Sequence, residues 1–277
     1  MLEVLEAAAL QIYTACSNLV ALAAFFVLLA YLIKGKALSK EIKPALTGSA
    51  FNFSIMCVNL LLLTPVMSLI MTYFYGYQWS IIERNIWYSL PQPVAILIAV
   101  FLGDFIGYWR HRFEHSRFLW PLHRVHHTDE HMNWLTLQRF HPLNYLTTFL
   151  IDTAFLILMG VPPFAIVANN MIRNYYGYFI HADIPWTYGK WSAIFVSPAM
   201  HRWHHATERA AYQTNFATVF SVFDRAFGTY RVPGPCNTDL GVRDGHSKTF
   251  LGELLHPFNV RVYWRKKAKK SIKKEPI

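Results

Sequence analysis

The sequence predicts an all-α integral membrane protein with about four to five transmembrane helices and a cytoplasmic helical cap holding a histidine cluster. Two observations predict the membrane part. Charged residues make up only 15% of the 277, and hydrophobic residues 54%, where soluble domains carry about 25% charged. Long stretches of the chain also hold no charge at all. The third observation is local: most of the 13 histidines crowd just beyond those stretches. A mean hydropathy of +0.22 suits a chain with a membrane part and a substantial polar face.

Taken in order, residues 12–33 are uncharged and long enough to span, since about 20 residues cross the hydrocarbon core. Residues 45–82 are also uncharged, with Pro65 in the middle and Tyr73, Tyr75, Tyr77 and Trp79 as an interfacial belt. Residues 86–109 form a third span. The stretch 143–180 is too long for one helix, and "GVPP" at 160–163 breaks it into a hairpin. No repeat or linker divides the chain, so residues 1–277 are expected to form a single domain.

Charge gives the expected sidedness. "KGKALSKEIK" after the first span holds four lysines and one glutamate, which places it in the cytoplasm. The N-terminus then lies outside, the third span returns inward, and the hairpin goes out and back. Every lysine falls on the inner side. The tail 261–277 is strongly basic, with eight Lys/Arg and no acid from Arg261 to Lys274, and suits a cytoplasmic face against anionic lipid. No stacking platform accompanies it that would suit nucleic acid. Cys16, Cys57 and Cys236 stand far apart, which excludes a CxxC metal site or a disulfide framework. The acidic start "MLEVLEAAAL" lacks the features of a signal peptide.

The histidines fall in three groups: "HRFEH" (His111, His115), "HRVHH" (His123, His126, His127) and "HRWHH" (His201, His204, His205). Residues three and four apart share a helix face, so each group is expected to present its imidazoles on one side. Ser197–Pro198 reads as an N-cap followed by proline at the first helical position. At this composition an HxxHH is expected about 0.03 times by chance, and it occurs twice. Eight imidazoles are too many for one structural zinc site and suit two ions with open positions. The Glu-x-x-His pairs of soluble di-iron bundles are not repeated, since only Glu253–His256 fits. Imidazole suits iron, zinc, copper and nickel alike, so spacing does not choose the metal. Asp104, an acid in an apolar span, is a candidate functional residue. It could accept a hydrogen bond from a ligand's free nitrogen or pack against Arg173 or a tyrosine.

"DFIGYWRHRFEH", "LWPLHRVHH", "FIHADI", "SPAMHRWHH" and "FDRAFGTY" together resemble the fatty acid hydroxylase/sterol desaturase superfamily, over about residues 95–232. The resemblance implies an integral-membrane, non-haem enzyme with two iron ions that uses O2 and external electrons on lipid C–H bonds. It implies metal ligation by His111, His115, His123, His126, His127, His201, His204 and His205, with His181 as a ninth ligand. Asp224 matches a family motif in a structural role. His131 and His141 are expected to cap or support, and His246 and His256 to lie elsewhere. No haem-binding "HPGG" is present, so electrons are expected from a separate cytochrome b5- or ferredoxin-type donor with its reductase. Hydroxylation is the leading expectation and desaturation the alternative. A histidine-lined metal transporter and a non-catalytic lipid-binding relative are the rivals from other classes.

Overall fold

The structure, a computed structural model, describes residues 2–76, 80–243, 247 and 249–264. Its regular elements are all helices, with two isolated bridges, Phe195–Phe220 and Ala206–Leu240, and no strands among the described residues. Helix is what long apolar segments adopt in lipid, where backbone groups find no partner but each other.

Helix α1 (Leu2–Lys34) and α2 (Leu38–Gly76) are joined by one 3-10 turn at Gly35–Ala37. A short α3 (Arg84–Tyr88) precedes α4 (Gln92–Glu114). The third span was expected from residue 86. It begins later because Pro91 is extended (ψ 136°) and a further proline opens the first turn of α4. In compensation α4 runs on to Glu114, so His111 sits in its last turn and His115 at its C-cap.

The expected hairpin is present as α6 (Pro142–Leu158) and α7 (Pro163–His181), with the eight-residue α5 (Trp120–His127) ahead of it. Gly160 makes the turn with φ +71°, and a Cβ there would collide with the Ile82 carbonyl. The Ile81 N–H closes the same corner on Leu158 O at 2.7 Å. Among the described residues, three helices are long and apolar enough to cross a membrane: Tyr13–Ala37, Ile42–Tyr73 and Gln92–Glu114. The arms of the hairpin fall short of that standard. The 17 residues of α6 reach only ~26 Å at 1.5 Å each, and α7 carries Asn169, Asn170, Arg173 and Asn174. Of the expected four to five spans, three are helices of this kind among the described residues, and the hairpin of α6 and α7 packs on α4 beside them.

Gly103 and Gly107 let α7 seat against α4. A Cβ at Gly103 would collide with the Asn169 side chain, and one at Gly107 with the Arg173 guanidinium. Beyond α7 come α8 (Pro198–His204), α9 (Val222–Ala226) and α10 (Phe250–Leu255). The cap is fixed to α4 by a buried cluster that includes Tyr108, Ile180, Met200, Phe216 and Phe223. Burying each such side chain from water contributes about 1.5–3 kcal/mol. Of the expected aromatic belt, Tyr73 is exposed on α2. Tyr77, Trp79, His246 and the tail 265–277 lie outside the described residues.

Candidate metal centre

Four elements aim histidines at one region: the end of α4, α5, the end of α7, and α8. Helix α8 begins as its sequence suggests, with Ser197 Oγ accepting from Met200 N–H at 3.1 Å and Pro198 next. Helix α5 has proline in its first turn but no side-chain cap.

The imidazoles form two groups. His111, His115, His123, His127 and His204 make one; His126, His181, His201 and His205 make the other. Within each group one nitrogen per ring lies within 4.8 Å of all the others. The expectation that each HxxHH serves as one three-histidine face needs correction. The i, i+4 pairs His123/His127 and His201/His205 stay together, while the middle residues His126 and His204 cross to the opposite group. A residue three positions on is turned about 60° the other way from one four positions on. Two clusters lying side by side divide the triplet between them.

Hydrogen bonding decides which nitrogen is bare. A carbonyl can only accept, so His111 Nδ1–H donates to Phe216 O, His181 Nδ1–H to Gly177 O and His204 Nδ1–H to Thr214 O, each at 2.7 Å. His123 Nδ1–H donates to Asn144 Oδ1 at 3.0 Å, and the Asn144 amide nitrogen is fixed by Glu114 Oε1 at 2.6 Å. Each of these four rings then presents a bare Nε2 lone pair. Those of His111 and His123 face each other at 3.1 Å, and no proton can lie between them. His204 Nε2 and His115 Nε2 are buried with no partner. In the second group His181 Nε2 lies 3.0 Å from His201 Nε2 and 3.2 Å from His126 Nε2. Converging buried lone pairs are repulsive alone and satisfied by a cation. Two imidazoles at right angles around an ion ~2.1 Å from each would have nitrogens ~3 Å apart. Each group therefore has the donor set and spacing to hold a transition-metal ion.

Electrostatics agree. Burial, then the neighbouring imidazoles, pushes His115, His126, His127, His201 and His205 well below the usual histidine range. Burial pushes His204 in the same direction and lowers His123 to about 3. Near neutral pH these rings offer lone pairs rather than protons.

Two further layers hold the rings. One is a chain of buried charges on α4, α6 and α7. Arg173 pairs with Asp152 at 2.9 Å and Asp152 with Arg110 at 2.7 Å; Arg110 pairs with Glu114 at 2.8 Å. Glu114 then holds Asn144, and Asn144 holds His123. The other layer is the loop 214–220, whose carbonyls orient His204 and His111. Asp224 accepts from Phe216 N–H and Ala217 N–H at 2.7 and 2.9 Å, which agrees with the structural role expected of it. Asp104 takes the N–H groups of Thr218, Val219 and Phe220 at 3.1, 3.0 and 2.7 Å. Of the two roles considered for Asp104, the structure shows the one beside Arg173, whose Nε lies 3.6 Å away, together with this grip on the loop. Gln213 and Asn215 both take a left-handed φ of 61°, so the loop is strained where it meets the histidines.

Of the other histidines, His131 is exposed and belongs to neither group. His141 caps α6, accepting from Leu143 N–H at 3.1 Å and donating to Leu254 O at 3.1 Å. His256 also stands apart from both groups. Glu253 is buried and lies 3.4 Å from Arg124, with no part in either group. Sequence reasoning missed Glu114, Asn144, Arg110 and Asp152. The rule that singled out Asp104, an ionisable group in an apolar helix, would also have found Asp152.

A helical membrane protein whose cap gathers two all-histidine groups is the class that this fold and site define. Residues 96–229 match the fatty acid hydroxylase family, which supports the resemblance to the fatty acid hydroxylase/sterol desaturase superfamily. It is 28% identical over 188 residues to ornithine lipid hydroxylase OlsE of Rhizobium tropici, covering 67% of this chain and 55% of that one. It is 30% identical over 134 residues to the alkylglycerol monooxygenase of Homo sapiens, covering 48% of this chain and 30% of that one. With a Delta(7)-sterol 5(6)-desaturase of Gibberella zeae it shares 29% identity over 180 residues, 61% of this chain and 48% of the other. The chain thus spans about half the length of the bacterial relative and under a third of the human one. No solved structure matches.

Proposed function

We propose that the protein is a membrane-bound, O2-dependent lipid hydroxylase with two iron ions, one in each histidine group. The observation that carries this reading is the set of Nε2 lone pairs turned inward by hydrogen bonds on Nδ1. On this reading His111, His115, His123, His127 and His204 hold one ion and His126, His181, His201 and His205 the other. Iron bound there would supply O2 activation, and imidazoles would hold it without the negative charge that carboxylates bring. The overall change is R–H + O2 + 2 electrons + 2 protons to R–OH + H2O. The electrons come from a separate cytochrome b5- or ferredoxin-type donor with its reductase.

The residues of the chain have positioning tasks in this scheme. Asn144 and the carbonyls of Phe216, Gly177 and Thr214 hold the rings in one tautomer. Asp104 and Asp224 hold the loop carrying two of those carbonyls. The histidines lie at the end of α4 rather than mid-span, which suits a lipid entering from the bilayer and argues against a transport path through it. The lysine distribution supports a cytoplasmic position for this end. Lipids of the kinds named in the hydroxylating relatives are the first substrates to test. The sterol desaturase similarity favours desaturation as the second reading.

The test is mass spectrometry of lipids from cells with and without the gene, grown under isotopically labelled O2. A lipid gaining one labelled oxygen, absent in cells carrying His204→Ala, is the expected result. A product that has only lost two hydrogens would favour desaturation, and unchanged lipids would overturn both readings.

A further inference from the structure

A cavity of about 630 Å³ lies between α1, α2 and the segments 130–135 and 182–184. That volume is within the ~300–1,000 Å³ typical of ligand sites. Its walls are apolar, built on α1 from Ala23, Phe26, Val27 and Ala30 and closed by Trp134, whose ring stacks on Phe26 at 5.4 Å and 9°. Its rim is not apolar. Lys34, at the end of α1, pairs with Asp183, and Asp183 also pairs with Arg202 at 3.0 Å. Glu130 is the remaining charged residue among the described residues lining it, and His131 lines it as well. Asp183 follows His181 by two residues, and Arg202 stands next to His201.

Charge decides what such a rim accepts. Two cations, Lys34 and Arg202, face two anions, Asp183 and Glu130. The side chains of Lys34 and Arg202 are only 16% and 14% exposed. A headgroup with net charge would leave one of these partly buried charges uncompensated, which is costly. A headgroup carrying one ammonium and one acidic group can exchange partners pair for pair and keep the rim neutral. We infer that this cavity is the lipid-binding site and that it takes a membrane lipid with a zwitterionic head. The alkyl chain lies along α1 against Phe26 and Trp134, the acidic group meets Lys34 and Arg202, and the ammonium meets Asp183 and Glu130. As a substrate assignment this rests on the hydroxylase reading above; as a binding site it stands on the cavity alone.

Binding can be read without turnover. Lipids brominated in the acyl chain quench nearby tryptophan, and Trp134 lines the site. Purified protein in detergent is titrated with four brominated lipids: an amino-acid lipid (carboxylate and ammonium), phosphatidylethanolamine (phosphate and ammonium), phosphatidylglycerol (net anionic) and diacylglycerol (uncharged). Saturable quenching that disappears in Trp134→Phe is expected for one or both zwitterionic lipids, and which of the two binds tells carboxylate from phosphate. Lys34→Gln is expected to weaken binding about tenfold or more, as for loss of one charge-assisted contact. Ala30→Phe, which fills the cavity, should abolish it. Metal content and elution profile, unchanged in all three variants, report that the fold survives. Equal quenching by all four lipids, or quenching that Trp134→Phe and Lys34→Gln leave unaltered, would overturn the site. Binding without any oxygenated product would sink the hydroxylase reading and leave the site standing. Oxygenation that proceeds normally in Ala30→Phe would do the reverse.

Discussion

His126 and His127 are neighbours in the chain, yet their rings stand perpendicular, at 89° with centroids 5.5 Å apart, and serve different histidine groups. The same division separates His204 from His205 on α8, at 82° and 5.4 Å. Each short helix thus feeds both groups, and the two groups share a wall in which His127 and His205 stack at 4.3 Å.

This division predicts that His126→Ala and His127→Ala deplete different sites. Each single variant should lose about one metal equivalent of two and lose lipid oxygenation, while the double variant should lose both metals. Elemental analysis of protein from iron-replete cells is the measurement. His181→Ala should behave like His126→Ala. His131→Ala should keep its full metal complement, and His141→Ala should cost only about 1 kcal/mol as a lost cap. Both metals gone in each single variant would mean that one shared site, rather than two, is present.

Asn144 connects the buried charges to the histidines. Asn144→Leu leaves His123 Nδ1–H without its acceptor and Glu114 without the amide donor at 2.6 Å. Losing an outer hydrogen bond of this kind lowers metal affinity about 10–100-fold, so chelator competition should strip this variant earlier than the parent. Glu114→Gln should have a smaller effect in the same direction, because Arg110 loses one of its two carboxylate partners.

Asp104 predicts a contrast. Asp104→Ala leaves three backbone N–H groups of the loop unpaired, at about 1–3 kcal/mol for each buried group left unsatisfied. Thermal unfolding in detergent should show the loss, and metal content should fall with it because the loop carries the acceptors for His111 and His204. Asp104→Asn keeps an acceptor oxygen and should lie between alanine and the parent. Full metal retention in a destabilised Asp104→Ala would separate the loop from the metal centre.

What the sequence made legible was whatever leaves a local mark. Uncharged runs located α1, α2 and α4, the prolines and glycine of "GVPP" located the hairpin, and histidine spacing picked out eight of the nine clustered rings, the ninth, His181, coming only from the family resemblance. Pro91 and Pro93 were there to be read as the true start of α4 but lay inside an apolar run that drew attention past them. The division of each HxxHH between two groups depends on where neighbouring helices stand and could not be read from one helix alone. Asn144–Glu114 and Arg110–Asp152 join residues 30 and 42 positions apart, so no spacing announces them. The left-handed Gln213 and Asn215 are not glycines, and the strain around the site went unmarked for that reason.

Gly107 was also silent in the sequence, and its substitution tests the packing of α4 on α7. A larger side chain there must displace Arg173, which pairs with Asp152 at 2.9 Å inside the bundle. Gly107→Leu should therefore cost about 3–5 kcal/mol, the range for breaking a buried ion pair. Leu97→Ala on the exposed side of the same helix should leave the melting curve nearly unchanged. Equal melting temperatures for Gly107→Leu and the parent would show that α7 does not seat against α4 as described.

Sidedness can be tested with two positions. The candidate span Ile42–Tyr73 lies between Lys36 and Glu83, so these exposed residues should be on opposite faces of the membrane. The candidate span Gln92–Glu114 then returns the chain to the Lys36 side. An independent contact agrees, since Lys34 pairs with Asp183, two residues beyond His181. Lysine-rich loops tend to face the cytoplasm, so Lys36, Asp183 and the histidine groups are expected inside and Glu83 outside. With Cys16, Cys57 and Cys236 replaced by serine, Glu83→Cys should react with an impermeant maleimide on intact cells. Lys36→Cys should react only after the membrane is opened. Labelling of Lys36→Cys alone from outside would invert the protein in the membrane, and labelling of both would mean that α2 does not cross it.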